Sequence, residues 1–187
     1  MENNKQIAEI QQPDPAQQDP KIWGESYAYW TQTGVLALAA FIAMIAINSS
    51  RTIERKKAAV SALLAAKRDD DLEKASALVA SLADGEKNIA SFAKAENVKS
   101  EESKSIKYVL NYYEYLAVGI GQGIYDESVF KDAMYTILTK LYDRTKPFID
   151  QARKTSGTVT IFQEFECLAC KWKLSPLKHK QIVSLPT

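Results

Sequence analysis

The sequence predicts an all-α protein, with a single N-terminal transmembrane helix followed by a cytoplasmic helical bundle. Three observations predict it. Residues 35–47 are an unbroken run of uncharged apolar residues, the apolar residues after residue 50 recur at three- and four-residue spacing, and strand signals are nearly absent.

The apolar run alone would also suit a buried helix or the core of a signal peptide. Extending it back to Ala28 gives an uncharged segment, 28–47, about 30 Å long at roughly 1.5 Å per residue, which matches the hydrocarbon thickness. Thr31, Gln32 and Thr33 then fall in its outer turns. Trp23, Tyr27, Tyr29 and Trp30 crowd its N-terminal boundary, where amphipathic rings favour the headgroup level. The leader is long and carries Glu2, Glu9, Asp14, Asp19 and Glu25, unlike the short basic leader of a cleaved signal. An uncleaved anchor is therefore the expectation.

Charge sets the expected orientation. Only Lys5 and Lys21 of the 24 basic residues precede the span, while Arg51, Arg55, Lys56 and Lys57 follow it at once. Basic residues stay inside, which places the N-terminus outside and the body in the cytoplasm, at the cell (inner) membrane. These four cations are expected at anionic lipid headgroups, each worth about 1 kcal/mol there. The part after the span holds 22 of the 24 basic and 18 of the 23 acidic residues, and its net +4 is too slight for a nucleic-acid binder. Residues 1–22, rich in Gln, Pro and Asp, have little to bury and are expected to be a disordered outer tail. Residues 23–50 are the span with its aromatic boundary, 51–104 a charged helical connector, 105–174 a helical-hairpin core domain and 175–187 a basic tail.

The first helix is expected to leave the membrane and continue through Ile53, Val60, Leu63 and Leu64, until Asp69, Asp70 and Asp71 interrupt it. Acids favour the positive end of a new helix, whose stripe is Leu72, Ala75, Leu78, Val79 and Leu82 and whose stop is Asp84–Gly85. Residues 86–95 form a weaker helix and 97–103 a charged loop, in which Ser100 is positioned to cap the next helix. Ile106, Val109, Leu110, Tyr113, Leu116, Ala117 and Ile120 carry the strongest helical period, ending in Gly119, Gly121 and Gly123. Asp126 is the expected cap of a partner helix with Phe130, Ala133, Met134, Ile137, Leu138, Leu141 and Tyr142. Joined by a short turn, the two should pack antiparallel. Pro147 suits the first turn of a further short helix reaching Arg153, residues 155–158 a loop, and 161–172 a last helix.

These residues also carry a resemblance. The stretch 110–120 (LNYYEYLAVGI), then 123–127 (GIYDE), Lys146–Pro147–Phe148–Ile149 with Arg153, and 162–172 resemble, in order and spacing, the bacterial and phage family called domain of unknown function 4760. The resemblance extends more weakly upstream to Arg55. It implies an α-helical domain, often with one N-terminal membrane helix, and no established activity. Tyr142 stands where the family usually has a Trp, so packing there is expected to differ.

Among individual residues, Asn111 and Glu114 are the foremost candidates for something beyond packing. They sit three apart on one helix amid Tyr108, Tyr112, Tyr113 and Tyr115, where a partly desolvated carboxylate needs a partner. Arg153 and Arg144 are the nearest expected partners, and an Arg fork on Glu114 would tie the post-proline helix to the hairpin. A general-base reading of Glu114 finds no accompanying nucleophile, second carboxylate or His in any motif. Cys167 and Cys170 with the single His179 make three metal ligands where tetrahedral zinc wants four, so they are expected to be buried structural cysteines. The three glycines read as cap and turn residues rather than a phosphate loop. Lys171, Lys173, Lys178 and Lys180 around Trp172 read as a solvated end, and Ala39, Ala40, Ala43 and Ala46 as a face that admits another membrane helix.

No cofactor, metal, nucleic acid or small-molecule substrate is indicated. The expected partners are the lipid bilayer and a protein, a second copy included. The favoured function is a membrane-tethered cytoplasmic helical interaction module, a sensor or effector in phage–bacterium conflict. Its rivals are an enzyme with an unusual site around Asn111 and Glu114, and an oligomeric membrane-disrupting effector.

Overall fold

The computed structural model describes residues 21–22, 25–85 and 88–178, and the chain divides into two compact units, residues 1–50 and 51–187. The fold is all-α. In the first unit a minimal antiparallel pairing of β1 (Lys21–Ile22) and β2 (Glu25–Ser26) precedes the start of α1 (Tyr27–Ala66). The expected outer tail falls almost wholly outside the described residues, as does Trp23. Helix α1 runs 40 residues without a break. Its apolar part is long and apolar enough to cross a membrane, and none of that stretch is buried by protein.

The second unit has its own core. From α1 it takes Ala59, fully buried, with Ala62, Leu63 and Ala66 packed partly against it. Asp69 caps α2 (Asp70–Asp84) by accepting the Leu72 N–H at 2.9 Å, with Asp70, Asp71 and Glu73 in the first turn where the helix dipole favours them. The Tyr108 hydroxyl donates to the other Asp69 oxygen at 2.9 Å, so one carboxylate caps α2 and ties α3 to it. These bonds hold the Asp69 carboxyl below its ordinary range.

The weak helix expected over 86–95 is a 3₁₀ turn, Ile89–Ala93, with Glu86 and Lys87 outside the described residues. It buries Ile89, Phe92 and Ala93 and packs chiefly on α4. The charged loop is shorter than expected, because Ser100 caps α3 (Glu101–Gly121) already at Ser103 N–H, 3.1 Å away. The buried face of α3 is the expected stripe. Gly121 is still helical, and the chain turns only at Gly123, whose φ of 68° is the left-handed conformation glycine adopts without strain. Gly119 has a different role from the expected cap: a Cβ there would lie 2.5 Å from the Tyr125 ring, so its missing side chain is what lets Tyr125 fold back onto α3.

Asp126 caps α4 (Glu127–Ser156) through the Val129 N–H at 3.2 Å, as expected. Two expectations fail in α4. Pro147 does not open a new helix but lies inside one continuous 30-residue helix, and the loop expected from residue 155 begins only at Gly157, φ 71°, whose N–H bonds the Arg153 carbonyl at 2.9 Å. Proline inside a helix costs about 3 kcal/mol. Phe148 and Ile149 beside it are wholly buried, and burying each is worth about 1.5–3 kcal/mol, which offsets that cost. Nor is the α3–α4 hairpin the main contact. α3 leans on α2 and α5, and α4 on the 3₁₀ turn and α5, so the last helix, α5 (Gln163–Leu174), joins the two.

Candidate functional site

Helix α5 begins without a cap of its own. Phe162, at its N-cap position, has φ 55° and offers no side-chain acceptor to the free N–H groups of the first turn. Glu114 supplies what is missing from α3: one carboxylate oxygen accepts the Phe165 N–H at 2.7 Å and the other the Glu164 N–H at 3.2 Å. Neither expected arginine pairs with Glu114. Arg144 forks onto Asp84 at the end of α2, with Nη2 2.9 and 3.1 Å from its two oxygens. Arg153 lies within 2.6 Å of Glu166 and also donates twice to the Ile161 carbonyl. An arginine therefore does tie the end of α4 to its neighbour, but through a carboxylate of α5. The sequence pointed to the wrong acid because helix order does not reveal that α5 lies across α3. Asn111 is exposed on α3, and no hydrogen bond joins it to Glu114.

Glu166 is the centre of a polar cluster that sequence reasoning missed. The Tyr142 hydroxyl donates to it at 2.6 Å, Arg153 pairs with it, and the Lys146 ammonium, itself paired with Asp150, stands 3.5 Å away. Burial pushes the Glu166 carboxyl up, but the Tyr142, Arg153 and Lys146 interactions outweigh that and leave it below its ordinary value of 4.5. The one available signal was Tyr142, the departure from the family's Trp, since its hydroxyl is what reaches Glu166. Burial, and then the same contact, raise the Tyr142 pKa.

At the other end of α5, Trp172 is fully buried, stacks on Tyr135 with ring centres 6.5 Å apart, and donates its indole N–H to Glu127 at 3.0 Å. Lys171 pairs with Glu127 and Lys173 with Asp143, so two of the lysines read as a solvated end are committed to α4. Lys180 and His179 lie outside the described residues. Cys167 and Cys170 are exposed rather than buried. The reason is plain in the spacing: Phe165, Leu168, Ala169 and Trp172 form the buried stripe, and the cysteines fall on the opposite face. Among the described residues no three His, Cys, Asp or Glu side chains are grouped to hold a metal ion.

One concave feature of this unit is an apolar groove of about 470 Å³, lined by Val60 and Leu64 of α1, Leu72 of α2, Tyr112 of α3, and Met134 and Ile137 of α4. The Tyr112 hydroxyl is buried with no hydrogen-bond partner. A shallower groove runs along α1 itself between Ile53, Lys57, Val60 and Leu64. Arg55, one of the four cations expected at lipid, donates to the Tyr125 carbonyl at 3.4 Å, at the α3–α4 turn. The site is therefore an apolar surface on a rigidly tied helical unit, with its carboxylates engaged in holding helices together.

A family model described as Domain of unknown function (DUF4760) matches residues 33–172 of the 187. No curated protein and no solved structure matches the chain.

Proposed function

The chain belongs to the family described as Domain of unknown function (DUF4760), and on that premise we propose that it is a membrane-tethered helical interaction module, with the N-terminus outside and the helical unit in the cytoplasm. The observation that carries this is a 40-residue helix with an unburied apolar stretch long enough to cross a membrane, whose far end helps line an open apolar groove. A lone unburied apolar stretch of that length is soluble only in lipid, and apolar surface left open beside a closed core marks a contact site. A role as sensor or effector in phage–bacterium conflict is the finer part of the proposal and rests on the resemblance alone.

The rival readings gain less from the geometry. Each oxygen of Glu114 accepts a backbone N–H at the start of α5, which gives the carboxylate a structural use as that helix's cap. The pore reading needs polar residues facing a lumen, yet the Thr31 and Thr33 hydroxyls donate to the Ala28 and Tyr29 carbonyls of their own helix at 2.9 Å.

Alkaline extraction of membranes from expressing cells tests the tether, with the chain expected in the pellet. Orientation is tested in a Cys167→Ser, Cys170→Ser background by adding a cysteine near residue 10 or at Lys99. An impermeant maleimide should label the first in intact cells and the second only after lysis. The reverse pattern would overturn the orientation, and a chain recovered wholly in the alkaline supernatant would overturn the tether.

A further inference from the structure

The apolar groove of the second unit continues past its apolar lining. Ser76, Tyr113 and Ile137 line both that groove and a second hollow of about 310 Å³, whose walls include Val79 of α2 and Thr136, Lys140 and Arg144 of α4. The two hollows form one trough along α4. Ala133, Ile137, Lys140 and Arg144, spaced four, three and four apart, make the strip of α4 that follows it, and over that strip the helix rises about 16 Å. The strip is apolar at Ala133 and Ile137 and cationic at Lys140 and Arg144. Ala133 and Ile137 belong to the stripe that the sequence marks for the core, yet both are exposed, Ile137 by 55 %.

We propose that this trough binds a long-chain fatty acid, its acyl chain in the apolar part and its carboxylate at Lys140. The proposal rests on the contact-site half of the reading above and is independent of the tether. Size is the first reason. Walls from four helices surround a hollow of about 470 Å³, within the roughly 300–1,000 Å³ that small ligands occupy. A protein partner takes about 800 Å² on each side, a face rather than a trough. Polarity is the second. A chain laid along Val60, Leu64, Leu72 and Met134 leaves water for apolar walls, while its head comes to the end where Thr136 and Lys140 stand. Charge is the third. Arg144 is already forked onto Asp84, whereas Lys140 has no ion pair or hydrogen bond among the described residues. Around the apolar part, Lys67 and Glu73 carry opposite charges and leave no net attraction for an anion. One open cation at one end suits a single carboxylate. A phosphate monoester, with about −1.5 to −2 charge, would meet only half of what it needs.

The test uses the full chain in expressing cells and a myristate analogue that carries a photoreactive diazirine and an alkyne tag, with labelled peptides mapped after irradiation. Label is expected in the peptides that hold Val60 and Leu64 and in those that hold Met134 and Ile137. Excess myristate should displace it, and tetradecanol, the same chain without the charge, should need at least tenfold more. Lys140→Glu should cut the groove label at least tenfold and Lys140→Arg should keep it; the side chain is exposed, so neither change disturbs the core. Groove label that survives Lys140→Glu, that tetradecanol displaces as well as myristate does, or that myristoyl-lysophosphatidate displaces better would overturn the proposal, as would no groove label. Two readouts keep the readings apart. If Ile137→Cys, in a Cys167→Ser, Cys170→Ser background, reacts with a permeant maleimide while the groove takes no fatty acid, the contact site stands and the ligand falls. Label in the groove but none in residues 35–47 supports the ligand and sinks the tether.

Discussion

Two of the carboxylates that hold α5, Glu114 and Glu166, do so by different bonds, and each should fail differently. Glu114 is a cap supplied from another helix. Glu114→Ala leaves the Glu164 and Phe165 N–H groups without their acceptor and should cost about 1–2 kcal/mol, the range of a lost helix cap, rather than the larger penalty of stranding a buried arginine. Glu114→Gln keeps one carbonyl oxygen and should cost less. Thermal denaturation of the variants checks the order, and a loss of about 3 kcal/mol or more would point back to an ion pair. Glu166 should make the protein acid-labile. Its folded pKa lies below 4.5, so the unfolded chain binds the proton more readily. The stabilisation is complete above the ordinary carboxylate value and drains away as pH falls through the folded one. The melting temperature should hold steady from pH 7 to about 5 and drop below 4.5, the ordinary value of that carboxyl. Tyr142→Phe removes a donor to Glu166 and should shallow that drop. An equally steep fall in Tyr142→Phe would mean that other carboxylates set it.

Helix α4 shows tertiary packing overriding local preference. Pro147 is exposed, donates nothing and leaves the Asp143 carbonyl without its helical partner, yet the helix passes through it because Phe148 and Ile149 are fixed in the core. Restoring the N–H without touching the core should therefore help. Pro147→Ala is expected to stabilise by about 1–3 kcal/mol, less than the full propensity difference because proline also restricts the unfolded chain. A shift of the urea midpoint at unchanged slope measures it, and a destabilised variant would show that the helix bends at Pro147 in a way the core requires. Helix α5 makes the converse point. Its N-terminus has Glu164 and Glu166 in the first turn but no side-chain cap of its own, and Glu114 of α3 provides one.

At the scale of the molecule, residues 51–187 hold a closed core of their own. A chain lacking residues 1–50 should be soluble, helical by circular dichroism and cooperative in thermal melting, since among the described residues every buried core side chain lies beyond Ser50. A disordered product, or one that melts without a transition, would mean that the core needs the first unit.

The apolar N-terminal segment, the stripes of α2 and α3, that of α4 apart from the exposed Ala133 and Ile137, the caps at Ser100 and Asp126 and the family could all be read along the chain, because each is written in residues near one another. Helical period, capping chemistry and apolar length are local quantities. Folding in three dimensions was needed to learn that Glu114 caps α5, that Arg153 binds Glu166, that Pro147 lies within a helix and that α5 joins α3 to α4. Those outcomes depend on contacts between residues 13 to 51 positions apart and on which burial outweighs which local cost. The cysteines are the exception. Their exposure was legible in the spacing of Phe165, Leu168, Ala169 and Trp172, because a helix with one buried face places residues two positions off that stripe toward water.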